Sequence, residues 1–385
     1  MKIGFDAKRA AQNRTGLGNY SRFVLRILSE HKPENGYHLY IPDERRTPYL
    51  NEIPTLAALK QHFPAAGIWR GLRSIWRIWG VTADIRRDGM DIFHGLSNEL
   101  PLNITRAGCK TIVTIHDLIF VTHPQYYHLV DRLIYGYKFK RACRLADKII
   151  AVSEYTKQEI MRIYGTPAEK ISVVYQGCDP VFAQDIASET LKDVKARYNL
   201  PERYILYVGS IEERKNLMLV ARALAAMKKE GNSAADDIRV VAVGRHTAYE
   251  DRIKRFLADN GLTDAFMFHN NVPYADLPSF YKNADAFVYP SRIEGFGIPL
   301  LEAVSAGLPA IGCTGSCLEE AGGPGSIYTR PDDDRAMADA ITRVWSDAAL
   351  RQKMGDEGRK HAEKFTDDRL FASLYDVYKA VTADR

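Results

Sequence analysis

Two glutamates, eight positions apart, give the strongest chemical signal in this sequence. Glu294 and Glu302 enclose a glycine-rich run that follows the apolar stretch Ala286–Tyr289 and Pro290. This order predicts a buried strand, a glycine-rich turn and a helix that begins near Pro299. Carboxylates accept hydrogen bonds from ligand hydroxyls, while bare amides and the helix dipole attract negative charge. The run therefore indicates a sugar phosphate or sugar nucleotide as ligand, and the alternative is a capped core helix with solvated acids.

A second motif supplies positive charge. Arg214 and Lys215 follow the predicted strand Tyr204–Val208 and a turn at Gly209, and they precede a helix. Two such cations can neutralise a diphosphate without a metal, because each charge-assisted bond to a phosphate contributes about 1.5–3 kcal/mol. Cations at a helix amino terminus oppose the helix dipole, so a neighbouring anion would explain their placement. The alternative is a solvated basic helix start.

Two weaker motifs lie in the first half of the chain. Gly16 and Gly18 open a predicted helix, where they would let the backbone approach a ligand, although a simple tight turn is the alternative. Ser21 replaces the third glycine of the dinucleotide fingerprint, and no lysine completes a P-loop. His116 follows the predicted strand Thr111–Ile115 and is a candidate polar contact or proton carrier. A structural histidine is the alternative there.

Composition places these motifs in a globular protein of two domains. The chain has 385 residues, 46% of them hydrophobic and 26% charged. Five scattered cysteines argue against a disulfide framework and form no metal-binding cluster. The sequence begins with a strand pattern in place of a signal peptide and contains no apolar run long enough to span a membrane. We therefore expect a cytosolic protein.

Charge is distributed unevenly along the chain. Residues 1–190 carry 26 Lys and Arg against 19 Asp and Glu, whereas residues 191–385 carry 27 against 29. The first half is therefore expected to meet whatever partner is large and anionic. A nucleic acid is not expected, because the basic residues do not alternate with stacking aromatic residues on a sheet face.

Strand and helix patterns alternate through both halves, which predicts an α/β protein with parallel sheets. The predicted strands are Ile3–Phe5, His38–Ile41, Ile92–His94, Thr111–Ile115, Lys148–Val152, Ile171–Val174, Tyr204–Val208, Val240–Val243, Ala265–Phe268, Ala286–Tyr289 and Pro309–Gly312. The rhythm breaks between Asp179 and Asn199, where we expect the interdomain link. The predicted domains are residues 1–185, joined by a carboxyl-terminal helix at 366–385, and residues 186–365.

Taken together, these motifs resemble the retaining glycosyltransferases of family four over nearly the whole chain. That family has the GT-B fold, in which two Rossmann-like domains face each other across a cleft. The most specific parts of the resemblance are the spacing of Glu294 and Glu302 around Gly295 and Gly297, and the turn from Gly209 to Asn216.

The resemblance implies a role for each matching residue. Glu294 would bind hydroxyls of the donor sugar, and Glu302 would bind the ribose of the nucleotide. Arg214 and Lys215 would hold the departing diphosphate, and His116 would lie near the transferred sugar. The implied donor contacts are Gly16, Gly18, Gly209, Ser210, Gly244, Arg245, Val272, Phe296 and Gly297. Ser210 departs from some relatives, which carry an additional arginine there.

Such enzymes need no cofactor or divalent metal, and the run Asp332–Asp334 fits this expectation because it matches a helix cap. The resemblance also implies that the leaving phosphate departs from the face that the acceptor attacks, and that it takes the acceptor proton. The sequence around His116 and from Glu212 to Asn216 is similar to bacterial surface-polysaccharide mannosyltransferases, which favours GDP-mannose over a UDP-sugar. The alternatives are a sugar-nucleotide epimerase of the same fold and a non-catalytic sugar-nucleotide-binding protein.

The segment from Ile68 to Trp79 is a candidate surface for the acceptor. It holds three of the four tryptophans, and the large apolar residues that fall within about 120° of a helical arc, opposite Arg70, Arg73 and Arg77, are Ile68, Trp69, Leu72, Ile75, Trp76 and Trp79. This pattern is typical of a helix that docks on the cytoplasmic face of an anionic membrane, where it would bring a lipid-linked glycan to the enzyme. The alternative is a helix buried against the sheet with a solvated basic face.

Overall fold

The computed structural model describes residues 1–64 and 67–383 and divides them into two units. The first unit contains Met1–Gln176 and the segment that begins at Asp367. The second contains Gly177–Thr366. Each unit is built on one parallel sheet with helices between successive strands, so the predicted pair of Rossmann-like domains is confirmed.

The first unit has a seven-stranded sheet in the order β3-β2-β1-β4-β5-β6-β7. Its strands are β1 (Lys2–Asp6), β2 (Gly36–Tyr40), β3 (Leu59–His62), β4 (Ile92–Gly95), β5 (Lys110–Ile115), β6 (Lys148–Ala151) and β7 (Ile171–Val173). The chain runs outward from β1 to β3 and then returns to β4 on the other side of β1. The order therefore reverses between the carboxyl ends of β1 and β4, the position at which open α/β sheets bind ligands.

The helices of this unit cover both faces of the sheet. They are α1 (Lys8–Gln12), α2 (Gly16–His31), α3 (Ile68–Gly71), α4 (Arg73–Ile75), α5 (Val81–Arg87), α6 (Ile119–Thr122), α7 (Leu129–Leu145), α8 (Glu154–Tyr164) and, from the end of the chain, α18 (Asp367–Ala383). Helix α18 packs on α2 and buries Leu370, Leu374 and Tyr378, and the Tyr378 hydroxyl lies 2.6 Å from Nδ1 of His94. The carboxyl-terminal helix is therefore an integral part of the first unit.

The prediction of one amphipathic helix from Ile68 to Trp79 is wrong. The backbone leaves the helical region at Leu72 and continues as a π-helical turn over Trp76–Gly80. Within this turn Trp76 is buried, whereas Trp79 is 51% exposed. The side chain of Arg77 is 13% exposed and is held in ion pairs, so it does not lie on a solvated basic face. The change of helical pitch separates residues that a regular helix would place on one side.

The second unit has a six-stranded sheet in the order β10-β9-β8-β11-β12-β13. Its strands are β8 (Ile205–Val208), β9 (Val240–Val243), β10 (Phe266–His269), β11 (Ala286–Tyr289), β12 (Ala310–Cys313) and β13 (Ile327–Thr329). Apolar side chains fill the central strands because helices cover both faces. Here the strand order reverses between β8 and β11, which places the loops after these two strands at the expected ligand position.

The helices of the second unit connect these strands and close its carboxyl-terminal end. They are α9 (Ser188–Arg197), α10 (Met218–Lys229), α11 (Ala234–Asp237), α12 (Ala248–Asp259), α13 (Leu277–Asn283), α14 (Ile298–Ser305), α15 (Leu318–Gly322), α16 (Asp334–Ser346) and α17 (Ala348–Ala362).

The units divide between Gln176 and Gly177, earlier in the chain than residue 185. The intervening residues belong to the second unit because their side chains contact it. Cys178 lies 3.3 Å from the hydroxyl of Ser305, and the ring of Phe182 packs edge-on against Tyr281 at 5.1 Å.

Candidate functional site

The predicted donor-site residues of the second unit lie at one edge of its sheet. Gly209, Ser210, Arg214 and Lys215 follow β8, Gly244 and Arg245 follow β9, Val272 follows β10, and Glu294, Phe296 and Gly297 follow β11. The strands are parallel neighbours, so their carboxyl ends share that edge. Glu302 stands in the second turn of α14, the helix that begins after the β11 loop. The fold thus gathers residues that are up to 93 positions apart in the sequence.

Glu294 lies at the centre of a cluster of polar side chains. Its Oε2 atom accepts a hydrogen bond from Nη1 of Arg214 at 3.0 Å, and its Oε1 atom is in direct contact with Nζ of Lys215. Arg214 also donates to the carbonyl of Ile293 at 2.9 Å and to Glu212 at 3.0 Å. The acid and the two cations that the sequence indicated separately therefore converge.

Two neutral side chains complete this cluster, and the sequence motifs did not indicate them. The hydroxyl of Tyr289 lies 2.7 Å from Nζ of Lys215 and 3.1 Å from Oε1 of Glu294. Ser291 donates to the same carboxylate oxygen at 2.6 Å. Tyr289 is the last residue of β11 and Ser291 follows two positions later, so both side chains are fixed by the strand that carries Glu294. Their signal in the sequence is only that polar residues end an apolar strand.

The electrostatic balance of the cluster keeps Glu294 ionised. Burial alone would raise the pKa of this carboxyl, but Arg214 and Lys215 outweigh burial and hold the pKa at about 2. The side chains of Glu294, Lys215 and Arg214 are only 10%, 12% and 19% exposed, so solvent screens them weakly. Arg214 and Lys215 share Glu294, and Glu212, whose side chain is 37% exposed, adds a second carboxylate beside Arg214, so the four side chains are formally balanced in charge.

The glycine-rich turn after Glu294 packs against Cys317 and Leu318. Gly297 has φ of 111° and precedes the first residue of α14, and an added Cβ there would lie 2.7 Å from Leu318. The positive φ angle favours glycine strongly, and a Cβ would also displace the Leu318 side chain. The thiol of Cys317 donates to the carbonyls of Glu294 and Phe296 at 3.1 and 3.0 Å. The ring of Phe296 is itself buried, so only its backbone is suited to contact a ligand.

Glu302 occupies a different environment from Glu294. It is 8% exposed, and its Oε2 atom accepts a hydrogen bond from the hydroxyl of Tyr281 at 2.8 Å. Burial raises the pKa of Glu302 to about 8, the negative charge of Asp179 adds to this effect, and the Tyr281 hydrogen bond opposes it. The two glutamates of the motif therefore differ in charge near neutral pH.

The loops after β8 and β9 touch each other. An added Cβ on Gly244 would lie 1.8 Å from the carbonyl oxygen of Gly209, so this approach requires glycine at position 244. Ser210 accepts a hydrogen bond at its carbonyl from the hydroxyl of Tyr207 at 3.0 Å. Arg245 is exposed and Val272 is half-buried at the same edge of the sheet.

Asn216 links the loop that carries Arg214 and Lys215 to the loop that carries Glu294. Its backbone has φ of 59°, and its buried amide donates to the carbonyls of Pro290 at 3.1 Å and Pro331 at 2.8 Å. An asparagine tolerates the left-handed conformation better than most residues and supplies two donors. The loops that carry Lys215 and Glu294 are thereby fastened to each other beside the ion pair.

His116 is the first-unit candidate for proton transfer, and both of its ring nitrogens have partners. Nε2 lies 2.9 Å from the carbonyl of Leu96, so this nitrogen must carry the proton, and Nδ1 accepts from the amide of Gln176 at 3.2 Å. Burial lowers the pKa of His116 to about 4. The imidazole is thus neutral near pH 7 and is held in one tautomer, which suits a positioning role better than a proton carrier.

The two glycines of the first-unit loop differ in their surroundings. An added Cβ on Gly18 would lie 1.8 Å from the carbonyl oxygen of Asn13, whereas one on Gly16 would meet no atom within 4 Å. Gly18 is therefore required by the loop itself. Only Gly16 borders open space in which a ligand could approach the backbone.

A partly buried ion-pair network lies where the strand order of the first sheet reverses, and the sequence motifs did not indicate it. Arg77 donates from Nε to Asp6, the last residue of β1, at 2.9 Å and from Nη1 to Glu99 at 3.1 Å. Lys138 of α7 donates to the same oxygen of Glu99 at 3.2 Å. The network fastens the π-helical turn and α7 to the carboxyl edge of the sheet.

Two acidic residues of the run Asp332–Asp334 have partners within the second unit. Asp333 caps α16 by accepting from the amide of Ala336 at 2.9 Å, as predicted for the run Asp332–Asp334, and Asp334 pairs with Arg222. Across residues 1–64 and 67–383, no three His, Cys, Asp or Glu side chains are grouped so that they could hold a metal ion. In the same part of the chain, no helix combines the length and apolar character needed to cross a bilayer.

Comparison with protein families gives two matches that together span most of the chain. Residues 189–361 match the family described as "Glycosyl transferases group 1", and residues 24–182 match "Glycosyltransferase Family 4". The boundary between the matches falls close to the boundary between the two units.

Curated relatives are similar at modest identity. O-antigen chain mannosyltransferase B of Escherichia coli is 27% identical over 398 residues, which covers 98% of this chain and all of the relative. O-antigen chain mannosyltransferase RfbU of Salmonella typhimurium is 27% identical over 60% of each chain.

Solved structures share the fold over the full length. Anabaena Alr3699/HepE, solved in complex with UDP and glucose, superposes with a TM-score of 0.76 at 15% identity and covers 99% of this chain and all of that one. Sucrose-phosphate synthase of Thermosynechococcus elongatus gives a TM-score of 0.77 at 20% identity, with full coverage of both chains. At these identities the likeness establishes the fold alone.

Proposed function

We propose, on the premise that this chain belongs to the group 1 and family 4 glycosyltransferases, that it transfers mannose from GDP-mannose with retention of configuration. The acceptor in this proposal is a glycan or lipid-linked glycan of a bacterial surface polysaccharide. Full-length similarity to a mannosyltransferase of O-antigen chains supports both the sugar and the acceptor class.

The observation that carries the proposal is the contact of Glu294 with Arg214 and Lys215. It lies at the carboxyl ends of β8 and β11, between which the strand order of the second sheet reverses. Both cations share the carboxylate of Glu294, and Arg214 has a second, more exposed partner in Glu212. A diphosphate at this edge would bind the two cations, and Glu294 would remain as an acceptor for sugar hydroxyls. Charge-assisted bonds of this kind contribute about 1.5–3 kcal/mol each when they are shielded from water.

In the proposed reaction, the bond between the anomeric carbon and the β-phosphate oxygen breaks, and that oxygen keeps the electron pair. Arg214 and Lys215 stabilise the charge that develops on the diphosphate, which is the largest effect in many such sites. The acceptor hydroxyl attacks the same face of the sugar and gives its proton to the departing phosphate. His116 holds a fixed neutral tautomer and would orient the sugar or the acceptor.

The proposed chemistry requires no metal, since two cations of the protein serve the diphosphate. Glu302 would meet the ribose, and the loops at Gly244, Arg245 and Val272 would meet the base. The glycine backbone at Gly16 would approach the phosphates from the first unit, because an added Cβ there has no neighbour within 4 Å.

Two measurements test the proposal. The first is a thermal-shift panel of GDP, UDP, ADP and their sugars, because a ligand that binds the native state raises its melting temperature. The second is turnover of the stabilising donor with an oligosaccharide acceptor, in the wild type, Glu294→Gln and Lys215→Ala. We expect stabilisation by GDP-mannose, and loss of transfer by at least about a hundredfold in each variant.

The surface ion pair of Lys195 with Glu202, 2.7 Å apart in the same unit, provides matched controls. Lys195→Ala and Glu202→Gln should retain full turnover. Preferential stabilisation by UDP-sugars would reject the donor assignment. Binding without any turnover would indicate a sugar-nucleotide-binding protein, and interconversion of free donors without an acceptor would indicate an epimerase.

A further inference from the structure

Helix α7 of the first unit exposes an apolar surface that nothing in the structure covers. Leu129, Val130, Leu133, Ile134 and Tyr137 are between 45% and 68% exposed. We call these five residues the α7 stripe. Monomeric proteins rarely expose so many large apolar side chains on one helix, and such surfaces mark sites of interaction.

The position of the stripe on the helix shows that it is a distinct face. With about 100° per residue, the five side chains lie within about 140° of arc. Phe139, Ala142 and Cys143 point to the opposite side, where they are buried in the core of the first unit. The helix is therefore apolar on its inner face and, in its first two turns, on its outer face as well.

Positive charge continues the same outer face. Lys140 and Arg144 are exposed and fall within the arc of the stripe, one to two turns further along α7. Asp131 is the one acidic residue of this helix, and it lies outside that arc. An apolar surface followed by cations matches the boundary of an anionic lipid leaflet, where acyl chains lie below negative headgroups.

A second group of exposed apolar residues lies in a segment that ion pairs connect to the helix. Leu72, Ile75 and Trp79 are 39%, 39% and 51% exposed at spacings of three and four residues. Their segment is joined to α7 because Arg77 and Lys138 share an oxygen of Glu99. Trp79 and Tyr137 add aromatic rings, which favour the interface between headgroups and acyl chains.

We propose that this surface, centred on the α7 stripe and extended by Trp79, docks the protein on an anionic lipid bilayer. The stripe would enter the boundary between headgroups and acyl chains, and Lys140 and Arg144 would bind lipid phosphates. A second copy of the chain fits less well. Its α7 would bring the same cations, Lys140 and Arg144, towards those of the first copy, with Asp131 as the one acid of each helix.

The inference goes beyond the glycosyl transfer proposed above and is measured without donor or acceptor. The full chain is floated with vesicles of phosphatidylethanolamine and phosphatidylglycerol, and separately with vesicles of phosphatidylcholine. We expect the wild type to float with the anionic vesicles and to remain largely free with the neutral ones. Raising the salt concentration should weaken the binding, because part of it is electrostatic.

Two double variants separate the contributions. Leu133→Ser with Ile134→Ser should reduce binding to anionic vesicles by more than about tenfold, because each large apolar side chain withdrawn from water contributes roughly an order of magnitude. Lys140→Glu with Arg144→Glu should weaken binding to anionic vesicles alone. Tyr274→Ser, at a residue of the second unit that is 44% exposed, is the matched control and should bind as the wild type does.

The side chains changed in the two double variants are all exposed, so the melting temperature of each double variant should equal that of the wild type. Unchanged flotation of the Leu133 and Ile134 variant would overturn the proposal, and so would equal binding of the wild type to neutral vesicles. Light scattering tests whether a second copy of the chain covers the surface instead of a bilayer. A wild-type dimer that the same variant converts to a monomer, with no vesicle binding, would assign the surface to a second copy.

Discussion

Arg214 and Glu294 are joined by a hydrogen bond of 3.0 Å between Nη1 and Oε2, and the same nitrogen also donates to the carbonyl of Ile293. The arginine thus holds both the side chain and the backbone of the loop that carries the glutamate. Chemistry and loop structure depend on the same contact.

The variant Glu294→Gln tests this dependence. It leaves Lys215 without a counter-charge and Arg214 with Glu212 alone, and removal of one partner of a buried ion pair costs about 3–5 kcal/mol. We expect the free energy of unfolding, measured in urea, to fall by that amount. A nucleoside diphosphate should raise the melting temperature of the variant more than that of the wild type, because it replaces the lost negative charge.

Glu202→Gln serves as the control, since it removes a carboxylate from a surface pair of the same unit. Its free energy of unfolding should match the wild type. An equal melting-temperature increase in Glu294→Gln and the wild type would show that the diphosphate does not bind at these cations.

Glu302 should make stability depend on pH. Its pKa rises from an ordinary value of 4.5 to about 8 because the carboxyl is buried. Between these values the native state keeps a proton that the unfolded chain has released, so the free energy of unfolding falls as pH rises, by up to about 1.4 kcal/mol per pH unit. Glu302→Gln cannot ionise and should lack this contribution.

The measurement is urea unfolding of both proteins from about pH 5 to about pH 8, the range set by the shifted pKa. The wild type should lose stability relative to Glu302→Gln across that range. A constant difference between the two proteins would show that the carboxyl is ionised in the native state throughout.

The first-unit glycines provide a matched pair of alanine variants. Gly18→Ala would force a Cβ to within 1.8 Å of the Asn13 carbonyl and should lower the melting temperature. Gly16→Ala meets no neighbour and should fold as the wild type does. If the backbone at Gly16 approaches the donor phosphates, the same variant should bind the donor at least about tenfold more weakly, a loss of about 1.4 kcal/mol that calorimetry can measure. Full donor affinity would show that this loop does not contact the donor.

His116 should act through position and not through proton transfer. Burial lowers its pKa to about 4, so the turnover of the wild type should show no histidine step between about pH 6 and about pH 8. His116→Ala removes the partner of both the Leu96 carbonyl and the Gln176 amide and should cost about 1–3 kcal/mol of stability. A turnover step near pH 6.5 that disappears in this variant would contradict the assignment.

Much of the fold could be predicted from the sequence because the buried strands have a simple composition. All eleven predicted strands overlap observed ones, and the two that were missed, β3 and β13, are at sheet edges. Leu59–His62 contains Lys60 and Gln61 among its four residues, and Ile327–Thr329 has only three residues. Edge strands of this kind lack the apolar run by which central strands are recognised.

Side-chain partners were harder to predict. The positions of Glu294 and the cation pair after two predicted strands indicated a shared site, but Tyr289 and Ser291 could be identified only from contacts. The segment from Ile68 was misjudged because a regular helical period was assumed across a π-helical turn. Helix α7 shows the opposite problem, since apolar residues on both faces cancel the periodic signal that marks a surface helix.

The assignment of α18 to the first unit has a consequence for biosynthesis. During translation the residues of the second unit, Gly177–Thr366, are all added to the chain before Leu374 and Tyr378. The second unit can therefore complete its sheet while the first still lacks its last helix and leaves His94 without the Tyr378 hydroxyl. A premature stop after Thr366 would release a chain with an intact second unit and an exposed groove along α2.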